Sequence, residues 1–222
     1  IPVFEPLGRE EPFWSPPLYH FLAAAVYFVF NIFNRNAANF AVKLISPVFG
    51  ILSLAFSFLV IKKLVNSKIA FYSTIFLAFV PIFIDYSVLS YVESMLVFFV
   101  VLSIYFLINE KIVLSGIAAG LSVLTKYNGL FILPVLVYIL YKKYGKDKNL
   151  FYKNSVIMIF ISLLIPSPWL IRNWMLLGNP IWPFLNFMFG GLEFESYSTL
   201  GLSGLNKYLI ISTYLNFFGV PD

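Results

Sequence analysis

Residues 161–191 read ISLLIPSPWLIRNWMLLGNPIWPFLNFMFGG, and this stretch decides the class of fold. Its apolar run ends at Pro166 and Pro168, where aromatic side chains surround a single cation, Arg172. Aromatic rings beside an isolated cation, directly after an apolar run, are typical of the interface between a bilayer and water. An arginine at this position either anchors a helix end or binds a ligand.

The composition of the whole chain favours a membrane location. Of the 222 residues, 60% are hydrophobic and only 11% are charged, whereas a soluble domain carries about 25% charged residues. We therefore predict an integral membrane protein. The chain contains no cysteine, which excludes disulfides, thiolate catalysis and cysteine-ligated metals within these residues. The net charge of +5 does not indicate nucleic-acid binding, because the cations are sorted along the chain by membrane side.

Apolar segments recur at lengths that suit helices in a bilayer, for which about 20 residues make a full crossing. We predict an all-α, multi-spanning helix bundle in a single transmembrane domain, as a piece of a longer protein. The first apolar segment, 18–33, is short for a span and follows a polar, Pro-rich loop over 1–17. Two other short segments, 112–125 and 129–141, are either tilted spans or a re-entrant pair. The predicted spans are 40–61, 69–84, 91–108, 112–125, 129–141 and 151–165, followed by an outer loop over 166–206 and the start of a further span over 207–220.

The lysines assign the loops to the two sides of the membrane. Loops rich in lysine are cytoplasmic by the positive-inside rule, and the remaining loops then lie outside. If 40–61 crosses inward, segment 18–33 cannot also cross while 1–17 lie outside, so we predict a juxtamembrane helix at the outer face. The lysines on the predicted inner side are Lys62, Lys63, Lys68, Lys111, Lys142, Lys143, Lys146, Lys148 and Lys153.

The outer loops bring carboxylates and cations to one predicted membrane surface. Carboxylates suit general-base work on a hydroxyl acceptor, and arginine and lysine suit a phosphate or pyrophosphate. A phosphate carried on a lipid would arrive at this depth. The candidate site residues are Glu93, Glu10 and Glu11 for catalysis, and Arg172, Lys126, Asn173, Asp85, His20 and Tyr127 for substrate or phosphate binding.

Each candidate also has a purely structural explanation. A glutamate in the first turn of a helix is favoured by the helix dipole, and a lysine or arginine at a helix end can snorkel to the interface. These explanations apply to Glu93, Lys126 and Arg172. Glu10 and Glu11 are also explained as solvated loop charges, and His20 as a hydrogen-bonded helix residue. The rings of 169–189 are explained as a membrane belt. The coincidence of several outer loops, rather than any one residue, favours a site.

The ordered set of short motifs resembles the GT-C glycosyltransferases, in particular the branch with the protein O-mannosyltransferases and the aminoarabinose transferases of lipid A. The motifs are Pro16-Pro17-Leu18-Tyr19, Ser46-Pro47 with Gly50, residues 87–93, Gly116 and Gly120 with Leu124-Thr125-Lys126, residues 168–173, and residues 178–184. The resemblance covers nearly the whole chain, which would then be an N-terminal part of such an enzyme.

The resemblance implies inverting transfer of a sugar from a polyprenyl- or dolichyl-phosphate donor to a protein, lipid or glycan hydroxyl. The active face would be outside the plasma membrane, or lumenal in the endoplasmic reticulum. By position, Glu93 looks like the second acidic residue of the family's site, and Lys126 and Arg172 look like phosphate-side residues. The family's catalytic carboxylate precedes the Pro-Pro-Leu motif, a position that Glu10 or Glu11 would take here.

Two other classes of function compete with the enzyme. One is a transporter or flippase of lipid-linked sugars, and the other is an inactive scaffold of the GT-C type. A transporter places ionisable groups near the bilayer midplane on broken helices, whereas the predicted spans have apolar centres, with Pro134 as the feature that favours transport. No cofactor is predicted, and a divalent metal on Glu10, Glu11 or His20 has no ligand spacing to support it.

Overall fold

The structure is a computed structural model that describes residues 3–4, 11–12 and 15–190. Within them the chain is almost wholly helical, as the sequence predicts. The exception is a pair of antiparallel two-residue strands, β1 (Val3–Phe4) and β2 (Glu11–Pro12). These strands lie in the segment over 1–17 that we predicted as a loop.

The helices follow one another with short connections. A 3-10 helix over Tyr127–Phe131 stands between the seventh and eighth α-helices. In chain order the α-helices of the described part are α1 (Leu18–Asn31), α2 (Arg35–Lys43), α3 (Ile45–Leu64), α4 (Ser67–Ala78), α5 (Pro81–Val88), α6 (Glu93–Ile108), α7 (Ile112–Thr125), α8 (Ile132–Tyr144), α9 (Lys148–Leu164), α10 (Ser167–Leu177) and α11 (Asn186–Phe189).

Side-chain caps begin several of these helices. The side chains of Asn34 and Asn66 each accept a hydrogen bond of 2.8 Å from the backbone N–H three residues later, and Asp147 does the same at 3.0 Å. Such caps satisfy N–H groups that a helix cannot pair internally.

Because α8 begins at Ile132, Pro134 lies in the first turn, where its missing N–H breaks no helical hydrogen bond. Pro134 therefore does not interrupt α8, contrary to our expectation of a mid-span proline.

The predicted segment 69–84 is two helices rather than one. α4 and α5 meet at a bend of 67°, where Val80 has extended backbone angles (φ −70°, ψ 120°). Pro81 explains the break, since it has no N–H to bond to the preceding turn and disfavours helical geometry in the residue before it. Pro81 instead opens α5 at a position where proline is well tolerated.

The predicted loop over 166–206 is wrong in its first part. α9 turns by 53° into α10, which ends at Gly178 with a left-handed backbone (φ 72°) that glycine adopts readily. α11 follows within the same predicted loop. The predicted loop residues beyond 190 and the predicted span over 207–220 lie outside the described residues.

One helix in the described ranges is long and apolar enough to cross a membrane. This is the 30-residue stretch Arg35–Leu64, which comprises α2 and α3; if the bent pairs α4–α5 and α9–α10 each count as one span, there are up to three. α1, α6 and α7 are apolar but shorter. The all-helical class is thus confirmed, while the multi-spanning arrangement stays a prediction.

Small residues on α7 bring it close to α9. A Cβ atom added at Gly120 would lie 2.6 Å from the Cβ of Ile165, and one added at Gly116 would lie 2.9 Å from the carbonyl oxygen of Met158. Both glycines therefore face α9 at a distance that a side chain would prevent. The main core around this contact consists of Leu107, Ala119, Ile132, Leu136, Leu140 and Met158.

Two ion pairs mark opposite ends of the packed helices. Glu93, the first residue of α6, pairs with Lys126 just after α7, and Glu110, just after α6, pairs with Lys143 in the last turn of α8. We call these the Glu93 end and the lysine end. The start of α3 belongs to the Glu93 end, because Ser46 Oγ donates a hydrogen bond of 2.9 Å to the carbonyl oxygen of Tyr91.

Candidate functional site

The Glu93–Lys126 pair joins the start of α6 to the end of α7. Lys126 Nζ donates to Glu93 Oε1 at 2.7 Å, and the two side chains are partly exposed, 37% for the lysine and 26% for the glutamate. Oε2 of Glu93 is buried without a hydrogen-bond partner among the described residues. A buried carboxylate oxygen without a partner is unusual in proteins. Glu93 therefore keeps hydrogen-bond acceptor capacity that no described residue uses.

Tyr127 connects this pair to α10. Its buried hydroxyl oxygen accepts two hydrogen bonds of 2.9 Å, from Nε1–H of Trp169 and from Nδ2–H of Asn173. Its ring meets that of Phe184 edge to face, with centroids 5.8 Å apart. Burial raises the pKa of the Tyr127 phenol, so the group stays protonated at neutral pH. The phenol thus ties the residue after Lys126 to the helix that carries Arg172.

Arg172 is held in place on two sides. Its Nη1 donates to Asn173 Oδ1 at 2.7 Å, and its Cζ lies 4.6 Å from the centroid of the Trp169 ring. Nη2 is buried without a hydrogen-bond partner among the described residues. A planar guanidinium that stacks on an indole keeps its in-plane donors for an anion. The geometry therefore leaves Arg172 with donor capacity for a ligand.

An apolar cavity of about 510 Å³ lies beside Arg172. His20 reaches it from α1, where its Nε2 lies 3.1 Å from Oγ of Ser15. Burial lowers the pKa of His20, so the imidazole is neutral near pH 7. The cavity is lined by Pro17, His20, Phe21, Leu124, Ile165, Pro168, Trp169 and Arg172. One cation in an otherwise mainly apolar wall suits a ligand with an anionic head and a hydrocarbon tail.

The structure brings most of the predicted site residues to the Glu93 end and leaves the others apart. Asn173 is fully buried and positions Arg172 and Tyr127 rather than facing a cavity. Asp85 is exposed on α5 and makes no side-chain hydrogen bond with the other described residues. Glu10 lies outside the described residues, and Glu11 is described as part of β2 by its backbone alone. The residues brought together are Glu93, Lys126, Tyr127, Arg172, Asn173 and His20.

Several residues of the site were missed by sequence reasoning. We interpreted the rings of 169–189, which include Trp169 and Trp182, first as a membrane belt and second as a lipid-chain groove, but the side chains of these two tryptophans are 8% and 0% exposed. Trp169 instead donates to Tyr127 and supports Arg172. Its position three residues before Arg172 on a helix predicts this contact. Leu124 and Ile165, which line the cavity, carry no comparable signal in the sequence.

The described residues contain no group of three or more His, Asp or Glu side chains that could hold a metal ion. Two side chains at the Glu93 end are of types that can ligate metals. Glu93 contacts Lys126, and His20 contacts Ser15. The ionisable side chains at the Glu93 end can offer hydrogen bonding, charge and proton acceptance.

A family model for dolichyl-phosphate-mannose-protein mannosyltransferases matches residues 15–172. The chain belongs to this family. The match begins at the residue that contacts His20 and ends at Arg172. Neither the curated proteins nor the solved structures gave a match. Membership implies a glycosyltransferase of the mannosyltransferase kind, and together with the apolar helices it indicates an integral membrane protein.

Proposed function

We propose that this member of the family transfers a sugar from a polyprenyl- or dolichyl-phosphate donor to a hydroxyl on a protein, lipid or glycan acceptor. The reaction takes place at the Glu93 end of the helices, by the inverting, GT-C type of mechanism. The observation that carries the proposal is Arg172, which lines an apolar cavity of about 510 Å³ and whose Nη2 has no hydrogen-bond partner among the described residues. A lipid phosphate combines the charge and the tail that such a cavity accommodates.

The donor occupies the cavity with its first hydrocarbon units against Leu124, Ile165 and Phe21. Its phosphate lies against Arg172, where a charge-assisted hydrogen bond is both strong and directional. Trp169 and Asn173 fix the guanidinium before the donor arrives, so little conformational freedom is lost on binding. Lys126 supplies a second positive charge on the same end of the helices.

The chemical step is a single displacement at the anomeric carbon of the sugar. The acceptor oxygen forms a bond to this carbon from one side while the bond to the phosphate oxygen breaks on the other, which inverts the configuration. The acceptor proton passes to a carboxylate, and the electron pair of the broken bond leaves on the lipid phosphate. Oε2 of Glu93 accepts a hydrogen bond from the acceptor hydroxyl and so orients it, or takes its proton. Arg172 and Lys126 stabilise the departing phosphate. Glu10 and Glu11 remain candidates for the base itself.

The proposed bundle crosses the membrane several times, with the lysine end in the cytoplasm. Lysines concentrated at one end, with the Glu93 end opposite, support this orientation. The Glu93 end then lies outside the plasma membrane, or in the lumen of the endoplasmic reticulum.

Single cysteines test the orientation, because the chain has none of its own. Ser90→Cys, at the Glu93 end, should react with an impermeant thiol reagent added to sealed cells. Ser67→Cys, at the first residue of α4 and next to Lys68, should react only after the membrane is opened. Both serines are exposed in the structure. Labelling of Ser67→Cys in sealed cells contradicts the proposed sides.

A transporter of lipid-linked sugars is the second candidate, and the broken helix pair α4–α5 favours it. Discontinuous helices often mark transport sites. However, α5 carries a single ionisable acid, Asp85, which is exposed, and the interiors of α3, α6 and α7 contain no charged residue. The charges thus support a site at one end more than a transport path. An inactive scaffold differs from both in having no transfer and no transport.

Sugar transfer by the purified protein is the decisive experiment. Labelled polyprenyl-phosphate sugars are supplied with native membrane extract as the acceptor, and Glu93→Gln and Arg172→Gln run beside the wild type. Lys153→Gln, an exposed cation on α9, is the matched control. We expect transfer by the wild type and the control and strong loss in both site variants. Donor binding without transfer in every protein would contradict the enzyme and support the flippase or the scaffold.

A further inference from the structure

A second cavity, of about 490 Å³, lies on another face of α1, between α1, α2 and the start of α3. We call it the α1–α3 groove. Its lining consists entirely of apolar side chains: Leu22, Val26, Phe30, Ala37, Phe40, Ala41, Leu44, Ile45, Val48 and Phe49. Such a wall offers no hydrogen bond to an extended peptide, whose backbone groups need partners, but a hydrocarbon chain needs none.

A cation on α2, Lys43, flanks this groove. Asn36, Phe40 and Lys43 are spaced four and three residues apart on α2, so they form one ridge of the helix. Because Phe40 lines the groove, Asn36 and Lys43 lie along its edge, with Arg35 at the first position of α2. Arg35 and Lys43 are exposed, and neither forms an ion pair within the described ranges. The sequence contains no Asp or Glu between residues 12 and 84, so no acid in this part of the chain neutralises them.

The length of the helix places these cations at headgroup depth. α3 has 20 residues, which at ~1.5 Å per residue gives about 30 Å, the thickness of a bilayer's hydrocarbon core at ~30 Å. Lys62 and Lys63 occupy its last turn. If these lysines lie at one membrane surface, α2 extends beyond the hydrocarbon core at the other. The groove then opens at the boundary between acyl chains and headgroups.

We propose that the α1–α3 groove binds one acyl chain of an anionic phospholipid of the bilayer. The lipid phosphate lies against Lys43 and the amide of Asn36, with Arg35 adding to the attraction. This site is separate from the cavity beside Arg172, since α1 contributes Leu22, Val26 and Phe30 to one, and His20 and Phe21 to the other. It requires an integral membrane protein and does not depend on sugar transfer.

Native mass spectrometry of the whole protein, released from nanodiscs of mixed phosphatidylglycerol and phosphatidylcholine, tests the proposal. We expect the wild type to retain phosphatidylglycerol in preference by about fivefold, which corresponds to one cation at a membrane surface. Lys43→Gln should abolish most of this preference, and Ala37→Trp, which fills the groove, should reduce retention of both lipids. The matched controls are Lys153→Gln and Val156→Trp, both exposed on α9, which should behave as the wild type.

The proposal is overturned by any of three results. An equal loss of the phosphatidylglycerol preference in Lys43→Gln and Lys153→Gln means general surface attraction. Ala37→Trp retaining both lipids at the wild-type level means that the groove is not the site. A lipid-free dimer that Ala37→Trp dissociates means that a second copy of the chain covers the groove. Because Lys43 is exposed, its substitution reports on binding even if Ala37→Trp does not fold. No donor is present, so a failure of the sugar-transfer proposal leaves this result unaffected.

Discussion

The two ends of the helices each carry a Glu–Lys pair with the same spacing in sequence. Glu93 and Lys126 are 33 residues apart in sequence, and so are Glu110 and Lys143. The distance from the lysine Nζ to the glutamate Oε1 is 2.7 Å in the first pair and 2.8 Å in the second. The surroundings differ. The Glu93 side chain is 26% exposed and the Glu110 side chain 67%, and an unpartnered oxygen occurs at Glu93 but not at Glu110 among the buried atoms of the described part.

This difference shows that residue type and spacing do not separate a structural ion pair from a candidate site. At the lysine end, Glu110 is exposed to water and lies near the cations Lys143 and Lys63, so the ion pair that links it to the end of α8 contributes little to stability. At the Glu93 end, Tyr127 couples the pair to a stacked arginine and an apolar cavity. Burial and unsatisfied hydrogen-bond capacity, rather than charge, therefore distinguish the two ends.

The largest expected effect is on sugar transfer. Glu93→Gln removes a carboxylate that accepts or orients the acceptor hydroxyl, and we expect transfer to fall about 100-fold or more, the scale of general-base catalysis. Glu110→Gln should leave the transfer rate within about twofold, because its pair is a solvated surface pair. Initial rates with a saturating donor measure both. Equal loss in the two variants would remove the functional distinction between the ends.

Arg172→Lys should weaken donor binding without preventing folding. The lysine keeps the charge but loses the planar stacking on Trp169 and the hydrogen bond to Asn173. We expect the dissociation constant of a polyprenyl-phosphate sugar to rise about tenfold, in line with loss of one charge-assisted hydrogen bond. Titration calorimetry in detergent measures it, with Lys143→Arg at the lysine end as the control. An unchanged constant removes Arg172 from the phosphate site.

Tyr127→Phe should reduce stability more than the corresponding change at the lysine end. It leaves buried donors of Trp169 and Asn173 without their shared acceptor, which we expect to cost about 1–2 kcal/mol in the free energy of unfolding. Tyr144→Phe, at the end of α8, should change it by less than about 0.5 kcal/mol. Denaturant unfolding in detergent compares the two. Similar losses would show that Tyr127 does not tie the site together.

The smallest effect concerns pH at the lysine end. The hydrogen bond and charge of Lys143 lower the pKa of Glu110 below its usual 4.5. A lowered pKa means that the ionised form stabilises the fold, so this contribution is present above pH 4.5 and is lost as the pH falls through the folded-state pKa. We expect Glu110→Gln to lie slightly below the wild type in melting temperature at pH 7, and we expect the difference to disappear as the pH falls through the folded-state pKa of Glu110. A difference that does not shrink as the pH is lowered contradicts this origin.

Much of the fold follows from the apolar pattern and its interruptions. The pattern predicts apolar helices through most of the described part, and the structure has α6 starting at Glu93 and α7 ending at Thr125, close to the predicted limits. The break at Pro81 and the helix α10 were not predicted. The break follows from Pro81 itself, which a reading of apolar length overlooks, whereas α10 depends on packing that composition alone does not reveal.

The site was predictable where a residue lies beside a helix end, and not where a buried contact defines its role. Glu93, Lys126 and Arg172 emerge from the sequence as rare charges in an apolar chain. The role of Tyr127 does not, because its hydroxyl acquires its partners only when α10 folds back over the end of α7. Asp85 is a prediction of the opposite kind: it was assigned to the site as a charge near a helix end. In the structure it is exposed and makes no side-chain hydrogen bond with the described residues.

The helix α1 separates the two cavities, one proposed to bind the sugar donor and the other a phospholipid of the bilayer. Phe21 lines the cavity beside Arg172, and Leu22, its neighbour in the chain, lines the α1–α3 groove. Successive residues of a helix point about 100° apart, so one step along the sequence changes the cavity that a side chain enters. A single-residue insertion before His20 would rotate every later side chain of α1 by that angle, so Phe21 would enter the α1–α3 groove and Leu22 would leave it, even though the composition of the helix hardly changed.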